Sequence, residues 1–356
     1  MAESTIDIDA LVAPLSDEEP CGESLEYDAA YLELTQVAQG TPEREVGDSF
    51  VPAEPPDWKD IRQRSLEMLS RSRDLSLCVH LLSAQVATHG WEGVRDVLVL
   101  IRRLLEERWE HVYPRLDPDD GDPTMRVNVV AEISPAPGAV PATIHLIQRL
   151  RQAPLTDSPQ LGRIGLREYA IANGDIAPPK PREGEEPEPL PEMATITAAS
   201  LDTPLEALSA FSDAIKASLE EIDTIDTILK ERVGAGNAPD FSELESVLKD
   251  AGGVISEWLI ARGAAADEAL MGQEGEGGGA GGAPAASGEI RSRDDVIRTF
   301  DRILRYFEIH EPTSPVPMLI RRAQRLIHKS FSEIVEDMAP DAMSTLQVIS
   351  GDRPEE

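Results

Sequence analysis

Cysteine is almost absent. Cys21 and Cys78 are the only two in 356 residues, and they match no metal or redox spacing. That excludes a disulfide-stapled scaffold and fits two reduced thiols in the cytosol. Aromatic residues are also scarce, 4% against 41% hydrophobic residues in all, so the cores should be aliphatic and helical. No apolar run is long enough to span a bilayer. The opening stretch MAESTIDIDALVAPL is acidic and lacks the basic n-region of a secretory signal. Positive charge is short as well: 33 Lys and Arg face 66 Asp and Glu, for a formal net charge of -33. Such a field opposes nucleic acid and anionic membranes, which are polyanionic, and favours basic patches on protein partners.

Catalytic signatures are missing too. His80, His89, His111, His145, His310 and His328 form no HExxH or CxxC-linked set, and no GxSxG, Walker loop or dinucleotide fingerprint occurs. Gly275–Gly282 is glycine-rich but follows no strand and carries no lysine, so it is not a phosphate loop. Asp117–Asp122 (DPDDGD) is the one metal suspect. A calcium loop needs glycine at its sixth position and glutamate at its twelfth, whereas here Gly121 is fifth and Asn128 twelfth. An acidic turn, with Asp122 or Thr124 capping the next helix, is the plainer reading. No catalytic, cofactor-binding or metal-binding residue is nominated.

What is present reads as helices and linkers. The fold class is mainly α, helical bundles joined by flexible linkers, with a small β-hairpin allowed at Pro154–Ala172 near the end of the first domain. Ser24 is placed to cap a helix running to about Gly40, with Leu25, Tyr31 (or Leu32) and Leu34 inward. Thr41–Pro56 reads as an exposed loop. Asp57 caps a helix with Trp58, Ile61, Leu66 and Leu69. A second helix carries Leu75, Cys78, Val79, Leu82 and Val86 and ends at His89-Gly90. A third, with Val94, Val97, Leu98, Ile101, Leu104, Leu105 and Trp109, shows the broad apolar stripe of a buried bundle helix. Further helices are expected at Thr124–Ile133, Ile144–Arg151, Ala198–Gly234 and from Phe241 to Leu259.

Five segments follow: a helical domain at 1–175, a Pro/Glu-rich linker at 176–197, a middle helical hairpin at 198–271, a Gly-rich linker at 272–288 and a helical oligomerisation domain at 289–356. Ile297, Phe300, Leu304, Phe307, Leu319, Ile327, Phe331, Ile334 and Leu346 are its expected core. A terminal domain of about 60 residues is marginal alone, which favours self-association. Its centre is EIHEPTSPVPMLIRRAQRLIHKSF, Glu308–Phe331. Pro312, Pro315 and Pro317 break the preceding helix, Thr313 and Ser314 are placed to cap the next, and an apolar face begins at Val316. Pro315, Pro317, Met318, Leu319, Arg321, Arg322 and Arg325 are the self-association candidates. Trp58, Arg71, Arg73 and Asp74 are the partner-binding candidates; for the last three an internal salt bridge holding helix ends is the favoured reading.

Four stretches, PCGESLEYD (Pro20–Asp28), PDWKDI (Pro56–Ile61), SRDLSL (Ser72–Leu77) and RWEHVYPRLDPDDGDPTMR (Arg108–Arg126), resemble the ImpA-type N-terminal domain of the TssA family of bacterial type VI secretion systems. The likeness spans about Leu15–Asp175. The ending, YFEIHEPTSPVPMLIRRAQRLIHKSFSEIVEDMAPDAM, is also similar to TssA, in its shorter, ring-forming branch. Asn128-Val129-Val130 departs conservatively from the family's Asn-Ala-Leu. The resemblance implies a non-enzymatic, cytoplasmic assembly factor that forms a high-order homo-oligomer. Partners implied are the TssB/TssC sheath, baseplate components such as TssK and TssE, the Hcp tube and the VgrG spike. A generic cytosolic adaptor that dimerises through its C-terminal domain is the alternative, and subunit count separates the two.

Overall fold

The computed structural model describes residues 4–41, 44–46, 49–51, 54–135, 146–179, 189–273, 300, 303–304 and 315–326. The chain divides into two compact units, Met1–Asp267 and Glu268–Glu356. The architecture is mainly α, as expected from the sequence.

Aspartates start the first four helices. Asp7 caps α1 (Ile8–Val12), Asp28 caps α2 (Ala29–Val37), Asp57 caps α3 (Trp58–Leu69) and Asp74 caps α4 (Leu75–Glu107). Each carboxylate accepts a backbone N–H from the first turn, where helix ends leave donors unpaired and the dipole favours negative charge. Asp28, not Ser24, begins α2, and Tyr31 rather than Leu32 faces inward.

α4 is the central element, packed against α1, α3, α5 (Thr124–Ala131), α6 (Leu146–Gln152) and α9 (Leu205–Val233). The two helices expected on either side of Gly90 are both present, and α4 is those two helices joined at a sharp break. Gly90 takes φ 58°, ψ −137° at the kink, a conformation open chiefly to glycine. Gly93 lets the turns close up: a Cβ there would sit 2.8 Å from the Gln85 carbonyl oxygen. Leu77, Leu81, Leu98, Leu100, Leu104 and Leu105 of α4 are completely buried.

The 176–197 stretch does not separate two cores. Buried residues from Ile6 through Leu155 to Ile255 form one continuous cluster. α9 lies along α4, where Arg102 pairs with Glu221 at 2.5 Å. Arg232 of α9 stacks on Trp109 at 5.4 Å, and Ser134 Oγ accepts the Leu244 N–H of α10 (Ser242–Gln273). The amphipathic stripe of α9, Ile215, Ile222, Ile225 and Leu229, is spent on this shared core. α8 (Met193–Asp202) begins inside the expected linker, and Pro204 parts it from α9. Its Ile196 and Ala199 pack with Ile164, Tyr169 and Trp258.

The hairpin is elsewhere than expected. Pro154–Ala172 holds isolated antiparallel bridges, Pro154–Gly165 and Ser158–Gly162, followed by α7 (Leu166–Asn173). A two-stranded antiparallel ribbon, β1 (Arg44–Val46) with β2 (Ser49–Val51), stands in the stretch read as a loop. Pro154 cannot donate to a ladder, and the 166–173 run has the period of a helix instead.

In the second unit the structure describes α11 (Val316–Leu326), with Pro315 just before it and Leu304 buried. Met318 and Leu319 are exposed, at 76% and 67%. Pro312, Thr313, Ser314, Ile297, Phe307, His310, Ile327, His328, Phe331, Ile334 and Leu346, the Arg325 side chain and most of the two linkers' central residues (180–188 and 274–288) lie outside the described residues.

Candidate functional site

Three stretches singled out in the sequence meet in the first unit. Gly22 pairs with Ser72 in an antiparallel bridge, and the Arg73 N–H donates to the Cys21 carbonyl at 2.8 Å. Gly22 has φ +73°, and a Cβ would stand 2.2 Å from the Arg71 carbonyl oxygen, so the junction admits only glycine. The other side of 72–75 pairs with Tyr113. The Tyr113 N–H donates to Arg73, the Leu75 N–H donates to Tyr113, and the Tyr113 hydroxyl closes the ring on the Gly22 carbonyl at 3.1 Å.

Arginines brace this staple. Arg71 spans Glu23 at 2.8 Å and Asp28 at 2.7 Å. Arg73 is buried and donates to the carbonyls of Ala10, Ala13 and Leu69. Asp74 is also buried, its carboxylate taken up by the Ser76 N–H. Trp58 lies under Arg149, whose guanidinium carbon is 3.6 Å from the ring centroid. Each of the four partner-binding candidates thus has an internal contact, and Arg71, Arg73 and Asp74 fall in the staple itself. Arg126, completely buried, holds the 109–114 turn by donating to the carbonyls of Trp109, Val112 and Pro114. Asp117–Asp122 is a turn closed by Gly121 N–H to Asp117; Pro123 occupies the α5 cap, and neither Asp122 nor Thr124 caps it.

The staple and α2, α4 and α5 line a cleft of about 630 Å³. Tyr31, His80, Tyr113, Leu116, Met125 and Val129 supply its apolar and aromatic walls, while Glu26, Asp74, Asp117, Asp122 and Glu132 make it acidic. Arg115 is its cation. It stacks over Tyr113 at 4.6 Å and pairs with Glu19 at 2.7 Å, yet its Nε is buried without a hydrogen-bond partner. His80 is 5% exposed, edge-on to Tyr31 with centroids 6.3 Å apart, and its Nδ1 has no partner. Burial holds the His80 pKa down at about 4, so the ring is neutral at neutral pH. Burial pushes Asp74, Glu132 and Tyr31 up. Such a cluster of desolvated groups in a concave surface makes this cleft the candidate binding site. Apolar walls, an acidic lining and two unpaired polar atoms suit recognition of a ligand that brings apolar contact, positive charge and hydrogen bonds together.

Sequence reasoning placed Tyr31 in the core and found no motif at His80, and it singled out neither as a site residue, nor Glu132. They come from α2, α4 and the C-terminal cap of α5, and no spacing along the chain reports their meeting. Met125 carries a local signal, a large apolar side chain on the outer face of α5, 63% exposed.

A model of the family described as "ImpA, N-terminal, type VI secretion system" matches residues 12–134. Type VI secretion system component TssA1 of Pseudomonas aeruginosa is 37% identical over 359 residues, covering 98% of this chain and all of that protein. The chain belongs to the TssA family. Every residue lining the cleft falls within the family-model match, from Ser24 to Glu132. The fold agrees with a solved TssA structure, the N-terminal domain including the conserved ImpA_N region of the type VI secretion component from Burkholderia cenocepacia. That domain aligns with a TM-score of 0.55 and 22% identity over 72% of this chain and 95% of its own. Among the described residues of this TssA chain, no helix is long and apolar enough to cross a membrane.

Proposed function

We propose that this TssA-family chain is a non-enzymatic assembly component of the type VI secretion system, working in the bacterial cytoplasm to organise baseplate and tail tube/sheath polymerisation. The C-terminal unit multimerises into a hub, and the N-terminal units are its arms. The observation that carries this reading is the full-length relation to a TssA1 protein, which extends through the C-terminal unit as well as the first. The division into two compact units supports it, as does the apolar face that α11 exposes at Met318 and Leu319 beside Pro315, Pro317, Arg321 and Arg322. The glycine-rich composition of the sequence at 272–288 is that of a flexible tether.

Multiplicity is the mechanism. A hub holding many arms raises the effective concentration of each, so weak contacts to repeated sheath (TssB/TssC) or baseplate (TssK, TssE) subunits add to a strong one, with the Hcp tube and VgrG spike within reach. The test is the solution mass of the full chain and of the double variant Met318→Asp, Leu319→Asp by light scattering. A high-order multimer that falls apart in the variant is expected. A monomer or dimer for the unaltered chain would replace the hub by a dimeric adaptor.

A further inference from the structure

The acidic cleft of the first unit has a chemistry that the hub-and-arms reading does not use. His80 Nδ1 and Arg115 Nε are both buried and both lack a hydrogen-bond partner. A polar atom left unpaired away from water is costly, so native interiors rarely keep two in one place. The two ask for complementary partners. Arg115 Nε can only donate, and so needs an acceptor such as a carbonyl. Neutral imidazole Nδ1 takes an N–H when unprotonated. An extended peptide backbone offers a carbonyl and an N–H within a residue of each other. Beside them Met125 stands exposed as an apolar contact, and Glu26, Asp117 and Glu132 line the same cleft. A polyanion is disfavoured there by the lining carboxylates and by the chain's net charge of -33. Among the described residues, no group of three His, Cys, Asp or Glu is placed to hold a metal ion.

The geometry points to this cleft as the seat of a short cationic segment of a protein partner, in which lysine or arginine flanks an apolar residue. The apolar side chain lies against Met125, the cation sits among Glu26, Asp117 and Glu132, and the segment's backbone pairs with His80 Nδ1 and Arg115 Nε. The carboxylates supply orientation and a salt-dependent association rate, and the buried pair reads the main chain. The inference concerns what the arm recognises, and it stands whether the hub has many copies or two.

The test pans a random dodecapeptide library, displayed on phage, against the immobilised full chain. A labelled synthetic consensus peptide is then titrated by fluorescence anisotropy against the unaltered chain, Glu26→Lys and Met125→Glu. Both positions are exposed, so both variants should fold, which circular dichroism checks. The expected consensus carries Lys or Arg next to an apolar residue. Its affinity should drop about tenfold or more in each variant and decline with added salt. A neutral or acidic consensus overturns the proposal, as does binding indifferent to both substitutions or a library that enriches nothing. A consensus matching a stretch of this chain would make the occupant a second copy and equally overturn a partner's segment. Solution mass is read separately, so loss of the hub and loss of the cleft are told apart.

Discussion

Arg126 offers the sharpest test of how the first unit is held. It is completely buried and faces carbonyls rather than a carboxylate. Nη1 donates to Trp109 at 2.6 Å, Nη2 to Val112 at 2.8 Å and Pro114 at 2.9 Å, and Nε again to Pro114 at 3.0 Å. The guanidinium also lies 4.6 Å from the Trp109 ring centroid. Replacing it with methionine keeps most of the apolar volume and removes every donor. Two buried carbonyls and the part-buried one of Pro114 then lack this partner, at about 1–3 kcal/mol each, or roughly 6 kcal/mol at mid-range. Part of that is returned, because a buried charge is itself costly. Burial drags the Arg126 pKa down to about 10, below the ordinary guanidinium range, and a shift of that size corresponds to about 3 kcal/mol of desolvation relieved by the substitution. The difference leaves Arg126→Met less stable by about 3 kcal/mol. Arg126→Lys should fare little better, since an ammonium cannot span three carbonyls in a fixed fork. Urea unfolding of the full chain, followed by tryptophan fluorescence and far-UV circular dichroism, reads the change. A methionine variant within about 1 kcal/mol of the parent would show that packing, not the donors, holds the turn.

Three further outcomes follow from the same geometry. His80 has a pKa depressed from 6.5 to about 4, so between those values the unfolded chain binds a proton that the folded chain does not; its contribution is intact above pH 6.5 and falls as pH drops to about 4, by up to about 3 kcal/mol. Asp74 and Glu132 are shifted up and act with the opposite sign, so the quantity to measure is the difference in acid sensitivity between the parent and His80→Gln, with the parent the more sensitive. Gly22→Ala should cost more than about 2 kcal/mol, because a positive φ is joined to a clash with the Arg71 carbonyl; Gly174→Ala, with φ +88° and open space around it, should cost about 1 kcal/mol in the same thermal scan. Arg102→Glu, facing Glu221 across α4 and α9, should destabilise the first unit by about 2 kcal/mol, and Glu221→Arg should recover part of that in a double-mutant cycle.

The helices were legible because their signals are local. Asp57 and Asp74 precede apolar periodicity and cap α3 and α4, and the threes and fours from Val94 to Leu105 place the buried stripe of α4. Gly90 was legible as the end of one helix before the next, because a positive φ there suits glycine, and the break between the two halves of α4 falls at that residue. The 176–197 stretch carries a linker's composition, yet composition says nothing of what lies beyond it: α9 returns to α4 and shares its core, a contact between residues 119 positions apart at Arg102–Glu221. Ser24 and Asp28 were both chemically able to cap α2. The choice fell to Asp28 because Leu25 is buried in the core and Arg71 reaches Asp28 from outside. The cleft was the least legible part. Its defining pair, His80 Nδ1 and Arg115 Nε, is unusual only in having no partner, and that is a property of three-dimensional surroundings.

The acidity of this chain has a structural source as well as a compositional one. Several of its 33 basic residues are turned inward. Arg73 and Arg126 are buried on backbone carbonyls, and Arg149 is largely withdrawn over Trp58, its pKa lowered to about 10 by burial. Guanidinium groups do this better than ammonium because one planar fork satisfies several carbonyls of a tight turn at once. Each arginine spent inside is one fewer to neutralise a surface carboxylate. At the cleft the consequence is direct: Arg126 holds the turn below, Arg115 is tied to Glu19 and Tyr113, and Glu26, Asp117 and Glu132 are left with little nearby positive charge among the lining residues. The clamps that shape the cleft therefore also set its sign, so a partner segment that fits its walls must bring its own cations.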